Sequence, residues 1–297
     1  AAAKLLKLTP AEVETALGIA SSMAAGLRQN FGTMTKPLHA GNAGRNGIMA
    51  ATLAKKGFTG FPSMLEAPCG FLNVFVGKGK YSAENLEASL GRPFHVVHPG
   101  LAIKKYPCCR GSHPSIEAME EVIKRHRVQA EEVESIECGI SSLGENDNHL
   151  SRPHAATSLD AKFSVEHCVS VLLLDKEVSL RQFSLERVLD PTVEEMRQRV
   201  KVVQKSDLLT ETERRGNVAA SVSVMLKDGR RLHYFHRMSK EEMGTPWPWE
   251  DVEKKFQQCA GLVLTPARVS QLTDLLRRLE ELDSIDELMN MVQGVEH

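Results

Sequence analysis

The sequence has almost no net charge: 37 Lys and Arg against 38 Asp and Glu leave −1 over 297 residues. A surface without a dominant sign creates no global field to draw in nucleic acid or an anionic membrane. No apolar run approaches the roughly 20 residues that a membrane span needs, and no secretory signal pattern opens the chain. The six cysteines (69, 108, 109, 138, 168 and 259) include no CxxC pair; in a chain of this length they read as reduced thiols of a cytoplasmic protein, not as a disulfide framework. There is no Gly-x-Ser-x-Gly elbow and no HExxH. Gly77-Lys78-Gly79-Lys80 lacks both the third glycine and the lysine-serine of a nucleotide loop. Internal repeats and low-complexity tracts are missing too. What remains is a globular chain of one or two domains, long enough to bury a core.

The first hundred residues read as helical. Ala1-Ala2-Ala3-Lys4-Leu5-Leu6 has no initiator Met and reads as the end of a helix already under way, so a preceding segment is expected. Thr9-Pro10-Ala11-Glu12 is a capping box with proline at the first helical position. The helix after it, with Val13, Leu17, Ile19, Ala20, Met23 and Ala24, is apolar on most sides and is expected to be buried. Gly32 to Pro37 reads as a loop, then a helix runs to a Gly57 cap. Its Ala40, Ala43, Gly44, Gly47, Ala50, Ala51 and Ala54 form a face almost without bulk. Glycine inside a helix costs about 1 kcal/mol against alanine, so another backbone is expected to pack close against this face. Ser82 caps a short helix to Leu90.

The texture changes at Pro99-Gly100. Leu101 to Tyr106 reads as a strand, Pro114 to Arg127 as an amphipathic helix, 133–141 as a strand, and Ala161 to Asp175 as a buried helix. Short helices near Leu185 and Val193 precede a strand at Val200 to Gln204. Asn217 to Leu226 alternates apolar and small residues and turns at Asp228-Gly229 into Arg231 to Arg237, a hairpin signal. Pro246-Trp247-Pro248-Trp249 marks a boundary, followed by helices from Glu250, from Thr265-Pro266 (Val269, Leu272, Leu275, Leu276, Leu279, Leu282), and from a Ser284/Glu287 capping box. The expected division is a helical domain over 1–99, an inserted α+β domain over 100–237, and a helical return over 238–297.

Two polar groupings stand out. Lys36 sits before Pro37 at the mouth of the small-faced helix, where it could bind a carboxylate or move a proton, or be an ordinary surface lysine. His39 follows where a neutral imidazole is tolerated. The densest cluster is Lys104-Lys105-Tyr106-Pro107-Cys108-Cys109-Arg110-Gly111-Ser112-His113. Cations around a proline turn just before a helix make a fair carboxylate site. Cys109 with His113 offers only two metal ligands, and a vicinal cysteine pair chelates poorly, so no metal is expected. Cys108 and Cys109 lack a nucleophile's partner signature and read as buried thiols. The pairs His95/His98 and His233/His236, and Arg152, His154 and Lys162, read as weaker signals.

At these two groupings the sequence resembles the MmgE/PrpD family, which includes 2-methylcitrate dehydratase, cis-aconitate decarboxylase and an iminodisuccinate epimerase. The matching pieces are Ala16 to Ala20, Gly32 to Ala43, Gly57-Phe58-Thr59-Gly60, Lys104 to Cys109, Ala161-Lys162-Phe163-Ser164 and Trp249 to Phe256. The resemblance implies a mainly α fold, an all-helical domain with an inserted α+β lid, and a cleft between them. It implies proton chemistry next to a carboxylate without a cofactor, a small di- or tricarboxylate as the partner, and a homodimer, which the long apolar helix faces also favour. Lys36 and Lys104 would hold substrate carboxylates and stabilise the enediolate-like charge left by deprotonation, with Cys109 and Arg110 beside the substrate. The family's other histidines lie upstream of Ala1, leaving His39 and His113 as local acid–base candidates. In the decarboxylase a histidine stands where this chain has Cys109, which weighs against decarboxylation. The leading expectation is therefore a 2-methylcitrate dehydratase-like lyase, with epimerisation or a catalytically incomplete binding protein as alternatives. Lys36 and Lys104 are expected to face one cleft.

Overall fold

The computed structural model describes residues 1–91, 93–94, 96–97, 100–141, 149–210, 217–239 and 245–292. The histidines at 95 and 98 fall outside them. Helices dominate, in keeping with a mainly α class, and one four-stranded sheet lies in the middle of the chain.

The sheet is built from β1 (Val133–Ile140), β2 (Val200–Gln204), β3 (Val218–Leu226) and β4 (Arg231–Met238), in the order β2-β1-β3-β4. β1 and β2 are parallel, so the chain between them must make a long crossover. The helices Val165–Asp175 and Pro191–Gln198 lie on that crossover. β3 pairs antiparallel with β1 and with β4. The β3–β4 turn is the expected one: Gly229 takes φ 89°, and the Asp228 carboxylate accepts the Arg230 amide. Side chains alternate across a strand, and β4 obeys this. Leu232, Tyr234 and His236 turn toward the helix His113–His126, while Arg231, His233, Phe235 and Arg237 face away. That helix begins on His113-Pro114 and ends on Arg127 in the left-handed conformation. Its Ile116, Met119 and Val122 join Val169, Leu172 and Leu173 and the inward residues of β1 and β3 in one core.

Several elements differ from expectation. The stretch 101–106 is not a strand: it pairs with nothing in the sheet, and its two lysines reach for different partners. The expected helix from Ala161 to Asp175 is two, Ser158–Ala161 and Val165–Asp175. The break is Ser164, whose Oγ accepts the His167 amide at 3.0 Å as an N-cap. The helix Thr35–Lys55 starts before Pro37, not after it. Proline is harmless there, because first-turn amides have no intrahelical partner. The leucine stripe stops with the helix Pro266–Arg277, which buries Val269, Leu272 and Leu275 but leaves Leu279 in an exposed turn.

The first part of the chain departs furthest. The capping box on Pro10–Ser22 forms, yet that helix buries only Ala16 and Gly18, and Leu17 is 48% exposed. Gly41, Gly44 and Gly47 are exposed, and a Cβ added to any of them would meet no atom within 4 Å. The close-packed backbone expected against this face is absent among the described residues. Only its far end, Ala50, Ala51 and Ala54, is buried, the last two beside Ala16.

Candidate active site

A cavity of about 1000 Å³ opens where separate stretches of chain meet. Phe31 comes from the turn before the Thr35–Lys55 helix and Lys36 from its first turn, and residues 102–117 form a second wall with His236 and Met238 of β4. Residues 247–258 form a third. Lys36, Lys104, Cys109, Arg110 and His113 all line this one cavity, so the two lysines face a common space. His39 does not line it; its ring packs beside Gly26.

Lys36 is held by aromatic rings instead of by a carboxylate. Its Nζ lies 4.6 Å from the Phe31 ring centre and 5.2 Å from that of Phe163. Such contacts are worth about 0.5–2 kcal/mol and leave the ammonium able to take an anion. Behind it, Gly32 at φ 83° packs against the Arg152 guanidinium and Phe163. Any Cβ at position 32 would collide with Arg152, so glycine is what lets the two segments close together. Arg152 is itself fixed by Asp160 at 2.7 Å.

The second wall is set by local hydrogen bonds. Lys104 donates from Nζ to the Cys108 carbonyl at 2.8 Å, which curls the 104–108 loop and keeps its ammonium at the cavity. Lys105 turns to Glu120 at 3.0 Å and Glu117 at 3.6 Å. The Cys109 amide donates to the Lys162 carbonyl at 2.8 Å. Burial works to raise the Cys109 thiol, but hydrogen bonds with His149 and the Gly111 amide, and the nearby Lys104 charge, hold it below its ordinary value. Cys108 is pulled below its ordinary value by the Cys168 thiol it bonds to, against its burial and with help from His113 and Lys104.

Among the described residues three imidazoles reach the cavity: His113, His149 and His236. His113 is 2% exposed, stacks edge-on with Tyr106 at 5.1 Å, and its Nε2 has no hydrogen-bond partner. His236 Nε2 lies 2.7 Å from the Glu117 carboxylate. Burial would raise Glu117, but His236 and Lys105 outweigh it and keep the carboxyl below its usual range. His149 sits edge-on between Phe31 and Phe163. The segment that carries it is pinned by the buried Glu166, which accepts Ser151 Oγ at 2.6 Å and the Arg152 amide at 3.0 Å.

Sequence reasoning did not single out Glu117, His149, Lys254 or Lys255. It rated His236 only as half of a weak pair. A signal existed for His236, since it shares the inward face of β4 with Leu232 and Tyr234. No spacing announces His149, which reaches Cys109 across 40 residues of chain. Among the described residues no three His, Cys, Asp or Glu side chains gather as a metal site. The arrangement can hold an anion between cations from different segments and place imidazoles beside it for proton transfer.

Comparison with known proteins agrees in one direction. Residues 106–281 match the family model "MmgE/PrpD C-terminal domain", and residues 1–84 match "MmgE/PrpD N-terminal domain". The chain is 30% identical over 313 residues to cis-aconitate decarboxylase of Aspergillus terreus, covering 98% of this chain and 61% of that protein. It is 27% identical over 299 residues to the human cis-aconitate decarboxylase, covering 99% of this chain and 60% of the relative. Likeness to the "Cis-aconitate decarboxylase-like protein oryM" of Aspergillus oryzae is 25% over 307 residues, 99% of this chain and 62% of the relative. The chain thus spans about three fifths of the length of the curated relatives it matches.

Proposed function

The chain belongs to the MmgE/PrpD family, and on that premise we propose that its cavity is the substrate cleft of a lyase acting on a small polycarboxylate. The observation that carries the reading is the convergence of Lys36 and Lys104 on one space, with Arg110 and His113 beside them. In this reading the two ammonium groups grip carboxylates and stabilise negative charge that builds up as a proton or carbon dioxide leaves the neighbouring carbon. An imidazole transfers the proton. His113, buried with a free Nε2, and His236, oriented by Glu117, are the groups placed for it. The chemistry needs only side chains. The sheet-bearing part, residues 100–237, acts as the lid and the helices before and after it as the base.

The names of the relatives favour decarboxylation of an unsaturated tricarboxylate of the cis-aconitate type. Cys109, standing where the family's decarboxylase has a histidine, favours the second reading, loss of water from a 2-methylcitrate-type hydroxy acid. The purified protein is to be incubated separately with cis-aconitate and 2-methylcitrate, following release of carbon dioxide and formation of the unsaturated product. Turnover of one of them, reduced about 100-fold or more in Lys36→Ala and in Lys104→Ala, is the expected result. Unchanged turnover in both variants would remove the lysines from the site.

A further inference from the structure

The third wall of the cavity has no part in the chemistry described so far. It is one face of the helix Trp249–Ala260: Asp251, Lys254, Lys255 and Gln258 recur at the spacing that puts side chains on a single side of a helix, and all four line the cavity. The other side of the helix is already occupied. Glu253 pairs with Arg277 of the helix Pro266–Arg277, and Arg277 stacks 5.7 Å from the Trp249 ring. The helix is therefore fixed by its outer side, with its polar side turned to the cavity.

The basic groups around the cavity differ in what they are bound to. Lys105 is committed to two glutamates, and Lys104 has a carbonyl partner. Lys254 and Lys255 make no hydrogen bond or ion pair among the described residues. Among the described residues six Lys and Arg side chains line the cavity against two carboxylates, Glu117 and Asp251, and Glu117 is already engaged by Lys105 and by the His236 ring. This is far more positive charge than a single carboxylate would call for. Carboxylates taken out of water each need a charged or hydrogen-bonding partner. Lys36 and Lys104 supply partners for two; a third anionic group has Lys254 and Lys255 of the same cavity available.

We propose that Lys254 and Lys255 form the subsite for a third carboxylate, so that the cavity distinguishes tricarboxylates from dicarboxylates. The proposal rests on the polycarboxylate reading of the cavity. Asp251, one turn closer to the start of the helix, repels an anion there and confines the third carboxylate to the lysine end.

The test compares two unreactive probes that differ by one carboxylate, tricarballylate and glutarate, titrated calorimetrically into the purified protein at fixed ionic strength. Removing both lysines (Lys254→Ala with Lys255→Ala) is expected to weaken tricarballylate about 10- to 100-fold, the worth of a charged hydrogen bond. Glutarate should change less than about 3-fold, and the Lys254→Arg/Lys255→Arg variant should restore tricarballylate binding. Equal weakening of both probes would overturn the proposal, because it would mean a general field instead of a subsite. An unchanged tricarballylate affinity would overturn it too. If the unaltered protein binds neither probe, the polycarboxylate reading itself falls, a result distinct from either of these. A thermal melt of each variant guards against misfolding, and the arginine variant separates loss of charge from loss of structure.

Discussion

From Tyr106 to Leu232 the apolar side chains of the helices and of the inner sheet face close into one continuous core. The first hundred residues spend theirs differently. There the buried cluster is three alanines, Ala16, Ala51 and Ala54, while Leu17, Ile48, Phe58, Phe61 and Phe75 are about half exposed or more. Both regions carry good helix signals, yet among the described residues only the first-named one is covered by its own apolar side chains. Local signals such as caps and prolines specify that a helix exists; what lies against it is specified elsewhere in the chain. The candidate site joins the two regions. Lys36 stands on the sparsely packed side and borrows rigidity from Phe163 and Arg152 across the boundary, whereas Lys104 and His113 stand on the core.

This contrast can be broken by matched deletions. Ile116, fully buried in the helix His113–His126, should cost about 2–5 kcal/mol of stability as Ile116→Ala. Ile48, 61% exposed on the flank of the small-residue face of the helix Thr35–Lys55, should stay within about 0.5 kcal/mol as Ile48→Ala. Urea unfolding of the two variants against the unaltered protein measures both. An Ile48→Ala cost rivalling that of Ile116→Ala would show that the face is covered in solution and would end the contrast.

A second effect, somewhat smaller, belongs to the dense region alone. Burial, reinforced by Arg197 and Arg187, pushes His167 from 6.5 down to about 4, against the opposing Gln182 carbonyl that its Nε2 contacts. The neutral ring is thus the folded form. Between these two values the unfolded chain takes up a proton that the folded chain refuses, so stability must fall as pH drops from about 6.5 to about 4. The loss is of order 3 kcal/mol. Urea midpoints at pH 7.5 and pH 4.5 should show it in the unaltered protein, and His167→Gln should lose clearly less over the same interval. An identical acid response in both would mean that His167 is not held neutral.

Much of the dense region was legible in the chain. Asp228-Gly229 announced the hairpin, Pro114 the start of its helix, and the alternation in 218–226 a strand. Failures came where tertiary partners decide. Leu101 to Tyr106 has the composition of a strand but pairs with no strand among the described residues, and Ser164 converts one long helical pattern into two by capping. Of the site, the lysines and the Cys109–His113 stretch were visible because they cluster in sequence or in a family motif. Glu117 and His149 were not, and Lys254 lay in a matching stretch without being read as a site residue, since each reaches the cavity only through the packing of distant segments. The small-residue face misled most, because glycine spacing records room for a partner without saying that this chain provides it.

In the proposed site Lys36 and Lys104 grip one ligand in one cavity. Amine acylation by acetic anhydride, read lysine by lysine by peptide mass spectrometry with and without saturating tricarballylate, tests it most directly. Tricarballylate should slow modification of Lys36 and Lys104 together and leave Lys227, exposed beside the β3–β4 turn, unaffected. Protection of only one of the two, or of neither, would contradict it.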